Sequence, residues 1–535
     1  MNPEVFGRLR RDMQRADYDR THIDALIGAE EHSACARGVF GPARTHLEAH
    51  PPSPLRTLCE LFILGASVSV ESLADAFPEL TVEDAFAMGL LVDDGHDRAR
   101  AALSLAAVEL PDPDGLSPAA QRTWWFVSDL DDSIRRGPAE PDHVMGVGAA
   151  TRSLLAQIPR PHALSAGSVS ALDLGTGCGV LGLWLLAAGA AEVIATDVSL
   201  RALEFAWANA HLNGVRAVRP GESTSGASPS LQLKLGSLFD PVREQRFDLI
   251  VTNPPFVITP RASAAVPAYD YRDGGQVGDA LAESVVRAAP AHLVPGGLLV
   301  MLANWEYQWG ESGHDRVASW IEDASTTAAA PLGAWVIERD RVSPLQYSET
   351  WVRDGGARPG TEAYDELLGA WLEDFSVRKV TSIGLGLIRL IRSDTEAPAG
   401  TTRVEQASGT LALSVGDVFL DVHRRSIHTD QLPNEQILAT HWLRENGVSE
   451  FREHTPGVDA PRAITLTATQ PVARTIEVDP VLAAAVGACD GDLSMGQIAG
   501  ALVTLLDVDL GECEEALCDG VRELVWCGVL AAADE

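Results

Sequence analysis

Four residues, Asn253-Pro254-Pro255-Phe256, limit what this chain can fold into more than any other stretch. They follow an apolar run over 247–252 that reads as a buried strand of a parallel sheet. Two prolines end such a strand abruptly, because each lacks an amide donor and fixes its own φ. The chain must then loop out at the carboxyl end of the strand, where open α/β sheets place ligands. An amide side chain, a rigid turn and an aromatic ring meet there. The Asn253 oxygen and the Pro254 carbonyl can accept the two N–H bonds of an amino or carboxamide group, and Phe256 can stack on its plane. A proline-terminated strand in some other α/β enzyme is the plain alternative.

Around this motif, residues 116–395 alternate between strand and helix patterns, the signature of a mostly parallel sheet. Strand candidates are 169–174, 192–196, 231–235, 247–252, 297–303, 334–338 and 380–391. Seven strands with helices between them predict a doubly wound, Rossmann-like α/β domain. A polar insertion at 219–226 reads as a loop. Another insert near 340–376 carries Tyr347, Trp351, Tyr364 and Trp371, and is either a cover for the substrate site or surface packing.

The flanks read differently. Residues 1–112 are helical, with Arg8, Arg10, Arg11 and Arg15 interleaved with Asp12 and Asp17 as on a solvated helix face. The helix patterns ending in Gly89-Leu90-Leu91, then a short strand pair up to Glu109, resemble a small winged helix. Leu110-Pro111-Asp112-Pro113 begins a turn-rich boundary. Residues 396–410 read as a linker. In 411–535, Leu411, Leu413, Val415, Val418, Leu420 and Val422 alternate in β fashion, and three helical segments after Pro480 again resemble a winged helix.

A second motif, Asp173-Leu174-Gly175-Thr176-Gly177-Cys178-Gly179, ends the first strand and opens a helix. Glycines let backbone approach a ligand where a Cβ would clash. Asp197 closes the next strand, placed to accept both hydroxyls of a ribose. Gly177-x-Gly179-x-x-Gly182 with Asp197 also fits the dinucleotide fingerprint of NAD enzymes.

Taken together, the two motifs resemble those of class I S-adenosylmethionine-dependent N-methyltransferases of the Asn-Pro-Pro-Tyr/Phe type, which act on glutamine amides, adenine N6 or guanine N2. The resemblance covers about half the chain, 116–395. It implies S-adenosylmethionine as cofactor, held by Thr151, Asp173, Gly175, Thr176, Gly177, Gly179, Asp197, Ser237, Leu238 and Asn253. Asp173 stands where the family holds the cationic amino-acid end. Ser237 stands where the family usually has an acidic residue facing adenine. The resemblance also implies Asn253, Pro254 and Phe256 as catalytic groups, with Pro255, Phe256, Tyr271 and Arg272 toward the acceptor. Asp273 equally reads as the start of a helix over 276–289.

Composition narrows the partners. The formal charge of −34 on 535 residues repels phosphate backbones at long range, which disfavours nucleic acid without excluding it. Residues 1–110 hold ten basic against eighteen acidic side chains, and from Pro480 onward one arginine faces eleven carboxylates. Both flanks therefore read as protein-contact or packing modules rather than groove readers. Seven scattered cysteines form no Cys-x-x-Cys pair, which argues against a zinc site and a disulfide framework. No apolar stretch is long enough to span a bilayer, so the chain reads as soluble and cytoplasmic. The expected acceptor is a protein or peptide amide. Alternatives are an RNA or DNA amino group, a small natural product, or no acceptor at all in a non-catalytic scaffold.

Overall fold

The computed structural model describes residues 2–113, 120–137, 139–222, 229–260, 275–393, 400–411, 415–506 and 508–533. Its centre is a nine-stranded sheet. In chain order the strands are β1 (Ser170–Leu174), β2 (Glu192–Asp197), β3 (Ala217–Val218), β4 (Leu231–Leu235), β5 (Phe247–Thr252), β6 (Leu293–Gln308), β7 (Leu332–Val342), β8 (Val380–Arg392) and β9 (Thr401–Gln406). Their spatial order is β9-β7-β8-β6-β5-β1-β2-β4-β3. β8 alone runs against its neighbours, β6 and β7; the other pairings are parallel. Strand order reverses between β1 and β5, which opens a crevice at their carboxyl ends.

All seven expected strands are present, but the count of seven is too low. β3 has two residues, too few to show a period. β9 occupies the middle of the stretch read as the 396–410 linker. Its residues are half-buried at the sheet edge, so it lacks the continuous apolar run of the inner strands. Residues 394–399 lie outside the described residues.

The expected boundary near residue 112 also fails. Strand Ser104–Pro111 pairs with Gln121–Ser128 in an antiparallel hairpin, Leu105 opposite Val127 and Pro111 opposite Gln121. Helix Leu200–Leu212 of the catalytic layer then serves as the hairpin's next neighbour through two amide side chains. Asn209 accepts from the Val127 N–H at 2.7 Å and donates to the Val127 carbonyl at 2.9 Å. Asn213 does the same at Trp125, at 3.1 and 2.7 Å. One apolar core runs without a break from Phe6 through Trp125 and Trp207 to Phe419 and Trp526.

The arginine-rich first helix, Pro3–Arg15, is not simply solvated. Arg8 pairs with Asp84 at 2.7 Å and Arg11 with Glu79 at 3.1 Å. Asp12 is fully buried and accepts the N–H groups of Glu79 and Leu80. That end of the chain continues as helix Pro54–Leu58, strand Val68–Ser69, helices Val70–Ala76 and Val82–Ala87, and strands Leu91–Gly95 and Arg98–Ala101.

Residues 416–431 form a helix, not strands. Val418, Leu420 and Val422 alternate by coincidence. The buried residues, Gly416, Phe419, Leu420, Val422, His423, Ser426, Ile427 and Thr429, include i, i+3 and i, i+4 neighbours and three polar side chains. Residues 412–414 lie outside the described residues. Strands begin at His441, and the end of the chain holds helix Pro480–Gly487, strand Asp490–Ser494, helices Met495–Leu506 and Leu510–Trp526, and strand Leu530–Ala532. Among the described residues no helix is long and apolar enough to cross a membrane.

Candidate active site

The two sequence motifs lie 78 residues apart and end on adjacent strands. Thr252 pairs with Leu174 in the β5–β1 ladder, and the Thr252 hydroxyl donates to the Leu174 carbonyl at 2.7 Å. Gly175 and Asn253, the next residues on each strand, therefore leave the sheet at the same level.

The glycine loop is built from its own polar groups. Asp173 is fully buried, and its Oδ2 accepts from the Thr176 hydroxyl at 2.6 Å and the Gly182 N–H at 2.8 Å. Asp197 Oδ2 accepts from the Gly177 N–H at 2.9 Å, and its Oδ1 from the Ser199 N–H at 2.9 Å. The glycines divide by task. Gly175 (φ +72°) and Gly177 (φ +53°) would each project a Cβ into open space, the profile of a ligand cradle. At Gly179 (φ +89°) a Cβ would sit 2.9 Å from the Ala206 Cα, so this glycine serves helix packing.

Sequence reasoning missed Asn209. It is fully buried, and beyond its hairpin bonds its amide nitrogen donates to the Cys178 carbonyl at 2.9 Å. One side chain thus ties the glycine loop to the Ser104–Ser128 region. A polar residue on an otherwise apolar helix face, Ala206 to Ala210, is the sequence signal that could have marked it.

At the other motif, Asn253 Nδ2 donates to the Thr151 Oγ1 at 3.1 Å. Thr151 lies on helix Ala149–Ala156, so the structure brings together two residues 102 positions apart. Asn253 Oδ1 is buried with no partner. The Pro254 carbonyl already accepts the Phe256 N–H at 2.7 Å, which leaves one lone pair for a further donor. Pro255 and Phe256 are partly exposed. Ser237 is exposed after β4, and Leu238 holds a left-handed φ of +45° beside it. Tyr271, Arg272 and Asp273 lie outside the described residues. The following helix spans Ala280–Ala288, shorter than expected, with Asp279 at its cap position. Asp279 uses its carboxylate elsewhere, holding Arg316 by two 2.8 Å bonds and accepting the Glu306 N–H.

The insert near 340–376 packs against the chain just past the Asn-Pro-Pro-Phe motif. Its helices, Pro344–Asp354 and Glu362–Val377, share a core with Val257 and Ile258. The buried Tyr347 hydroxyl accepts the Ile258 N–H at 3.1 Å and an Asn304 N–H at 2.7 Å. Burial also raises the Tyr347 pKa, so the phenol stays neutral. Tyr347→Phe keeps the ring and removes only this brace. We expect turnover to fall about tenfold with affinity for S-adenosylmethionine unchanged. Equal losses in both would mark a general weakening of the fold instead.

The residues present fit S-adenosylmethionine. Two buried, unpaired acceptors, Asp173 Oδ1 and Asn253 Oδ1, stand on neighbouring strand ends. The glycine cradle lies between Asp173 and Asp197. A cationic donor suits Asp173 Oδ1, and an N–H suits Asn253 Oδ1.

A doubly wound sheet with a glycine loop after β1 and Asn-Pro-Pro-Phe after β5 is the arrangement that the resemblance to class I methyltransferases implies. Residues 145–312 match the family model described as "Methyltransferase small domain", and residues 15–102 match "Domain of unknown function (DUF7059)". The chain is 35% identical over 148 residues to the release factor glutamine methyltransferase of Geobacter sulfurreducens, covering 26% of this chain and 45% of that protein. It is 38% identical over 138 residues to the ribosomal protein uL3 glutamine methyltransferase of Bradyrhizobium diazoefficiens, covering 24% of this chain and 39% of that one. The chain thus spans less than half the length of either relative. A solved T. Thermophilus 16S rRNA N2 G1207 methyltransferase aligns at 19% identity, 44% of this chain and 61% of that one, with a TM-score of 0.25, too low to weigh.

Proposed function

We propose that this chain is an S-adenosylmethionine-dependent N-methyltransferase whose acceptor is the side-chain amide of a glutamine in a protein. The observation that carries this reading is the fixed Asn253 amide: Thr151 holds its nitrogen, and its oxygen is buried with no partner. The named activities of the partial relatives support it.

S-adenosylmethionine supplies, when bound, a methyl group already activated on a sulfonium. Asp173 Oδ1 accepts from the amino-acid end, and Asp197 accepts from the ribose hydroxyls. Gly175, Thr176 and Gly177 leave room for the chain between them, with Gly179 closing the loop, and Ser237 and Leu238 border the base. Asn253 Oδ1 and the free lone pair on the Pro254 carbonyl accept the two N–H bonds of the glutamine amide. Phe256 stacks on its plane and Pro255 holds the turn rigid. A carboxamide nitrogen is a poor nucleophile because its lone pair is delocalised. Two acceptors on its protons raise its electron density and fix its aim. The proton leaves to solvent after transfer, so no dedicated base is needed.

We read both terminal modules as winged-helix-like. Each has helix, strand, two helices and strand in that order, over Pro54–Gly95 and Pro480–Ala532. The central strand of each three-stranded sheet comes from opposite sides of the chain, Arg98–Ala101 following its module and His441–Arg444 preceding it. Their acidic composition suits protein contact, in line with a protein acceptor.

Incubation with methyl-labelled S-adenosylmethionine and cell lysate, followed by protease or nuclease, tests the acceptor. Label released by protease and stable to nuclease is expected. Label destroyed by nuclease alone would assign an RNA or DNA amino group instead.

A further inference from the structure

The strongest unexplained chemistry lies away from the site just described, in the seam between the sheet and helix Gly416–Gln431. Arg389 on β8 is fully buried. Its Nη1 donates to the Gln157 carbonyl at 2.9 Å, while Nε and Nη2 are buried with no partner. Among the described residues no carboxylate pairs with it. The Phe419 ring lies under the guanidinium, 5.0 Å from its carbon to the ring centroid, and satisfies the flat face but not the N–H edge. Burial pulls the Arg389 pKa down to about 9, which still leaves the group charged at neutral pH.

One helical turn after Phe419 comes His423, also fully buried, with both ring nitrogens unpaired. Trp335, the cross-strand partner of Arg389, lies 5.8 Å from the His423 ring, and Trp526 lies 5.8 Å away on another side. Nearby positive charge and burial keep this imidazole neutral, so it offers one N–H. Unmet Nε and Nη2 donors of the guanidinium and an unmet imidazole N–H therefore lie in one seam, bordered by Phe419 and Trp335, with one uncancelled positive charge. Native folds rarely leave such donors unmet, and ions or ordered water account for the exceptions.

We propose that Arg389 and His423 hold a small monovalent anion of halide size between β8 and helix Gly416–Gln431. A single negative charge completes the balance. Gln157 Oε1, buried and unpaired as well, is an acceptor and points to ordered water as the competing occupant. The site lies behind helix Ala149–Ala156, the helix that carries Thr151, because Arg389 also grips the carbonyl just past that helix. The proposal does not depend on the methyl-transfer reading.

Exchanging chloride for gluconate at fixed ionic strength, with the full chain, tests it. Chloride should raise the thermal midpoint by about 2 °C or more. Arg389→Met, similar in length and uncharged, should abolish that difference. Should that variant fail to fold, diffraction from wild-type crystals soaked in bromide decides, with an anomalous peak expected between Arg389 and His423. No halide-specific shift together with water alone at the site overturns the proposal. A bromide peak that persists in Arg389→Met overturns it equally, as an adventitious ion only.

Discussion

Asn253→Ala is expected to lower turnover about a hundredfold or more while leaving S-adenosylmethionine affinity within about threefold, as loss of one preorganised electrostatic partner does elsewhere. The split follows from geometry. The glycine loop, Asp173 and Asp197 are held by their own hydrogen bonds, none of which involves Asn253. What the substitution removes is the unpaired Oδ1 and the amide that Thr151 fixes. Single-turnover rates with labelled cofactor, set beside calorimetric affinity, measure both halves. Unaltered turnover would show that the acceptor amide is held by something else.

Asp173→Asn should move stability and binding in opposite directions. The Asp173 carboxyl is fully buried, and burial raises its pKa from 3.8 to about 6 despite the bonds from Thr176 and Gly182. The sign is that of a raised acid. Below about pH 4 both folded and unfolded chains carry the proton. Between about pH 4 and 6 the unfolded chain gives it up first, so rising pH costs folded stability, and the full cost stands above pH 6. A shift of that size corresponds to about 3 kcal/mol. An asparagine keeps the oxygen that Thr176 and Gly182 need and carries no charge. The variant should therefore resist denaturant better than wild type at pH 8. It should also bind S-adenosylmethionine at least tenfold more weakly, since a donor replaces the unpaired acceptor. In the wild type, an ammonium against Oδ1 favours the ionised carboxylate, so affinity should weaken as pH falls through about 6. Calorimetry giving a flat affinity from pH 5 to 8 would dissociate Asp173 from the cofactor.

The inner strands were legible because both their faces are covered, which writes them as continuous apolar runs such as Leu249-Ile250-Val251. β9 escaped because an edge strand with Thr401, Arg403 and Glu405 has the composition of a linker. The hairpin was hidden by Leu110-Pro111-Asp112-Pro113, since turn chemistry is the same whether a chain is folding back or leaving a domain. At the site, residues that act through their own backbone loop could be found from spacing alone. For Asn209, Tyr347 and Arg389 the partners could not be read. Each is a polar side chain whose partner lies on a remote segment, and nothing local records such a partner.

The amide ladder of Asn209 and Asn213 has a mechanical consequence. Ordinarily a chain of this length offers a hinge between its first lobe and the catalytic layer. Here the join is a sheet edge continued by side chains, with Trp124 and Trp125 packed into the shared interior. The two lobes are welded along this edge, with one interior running through both.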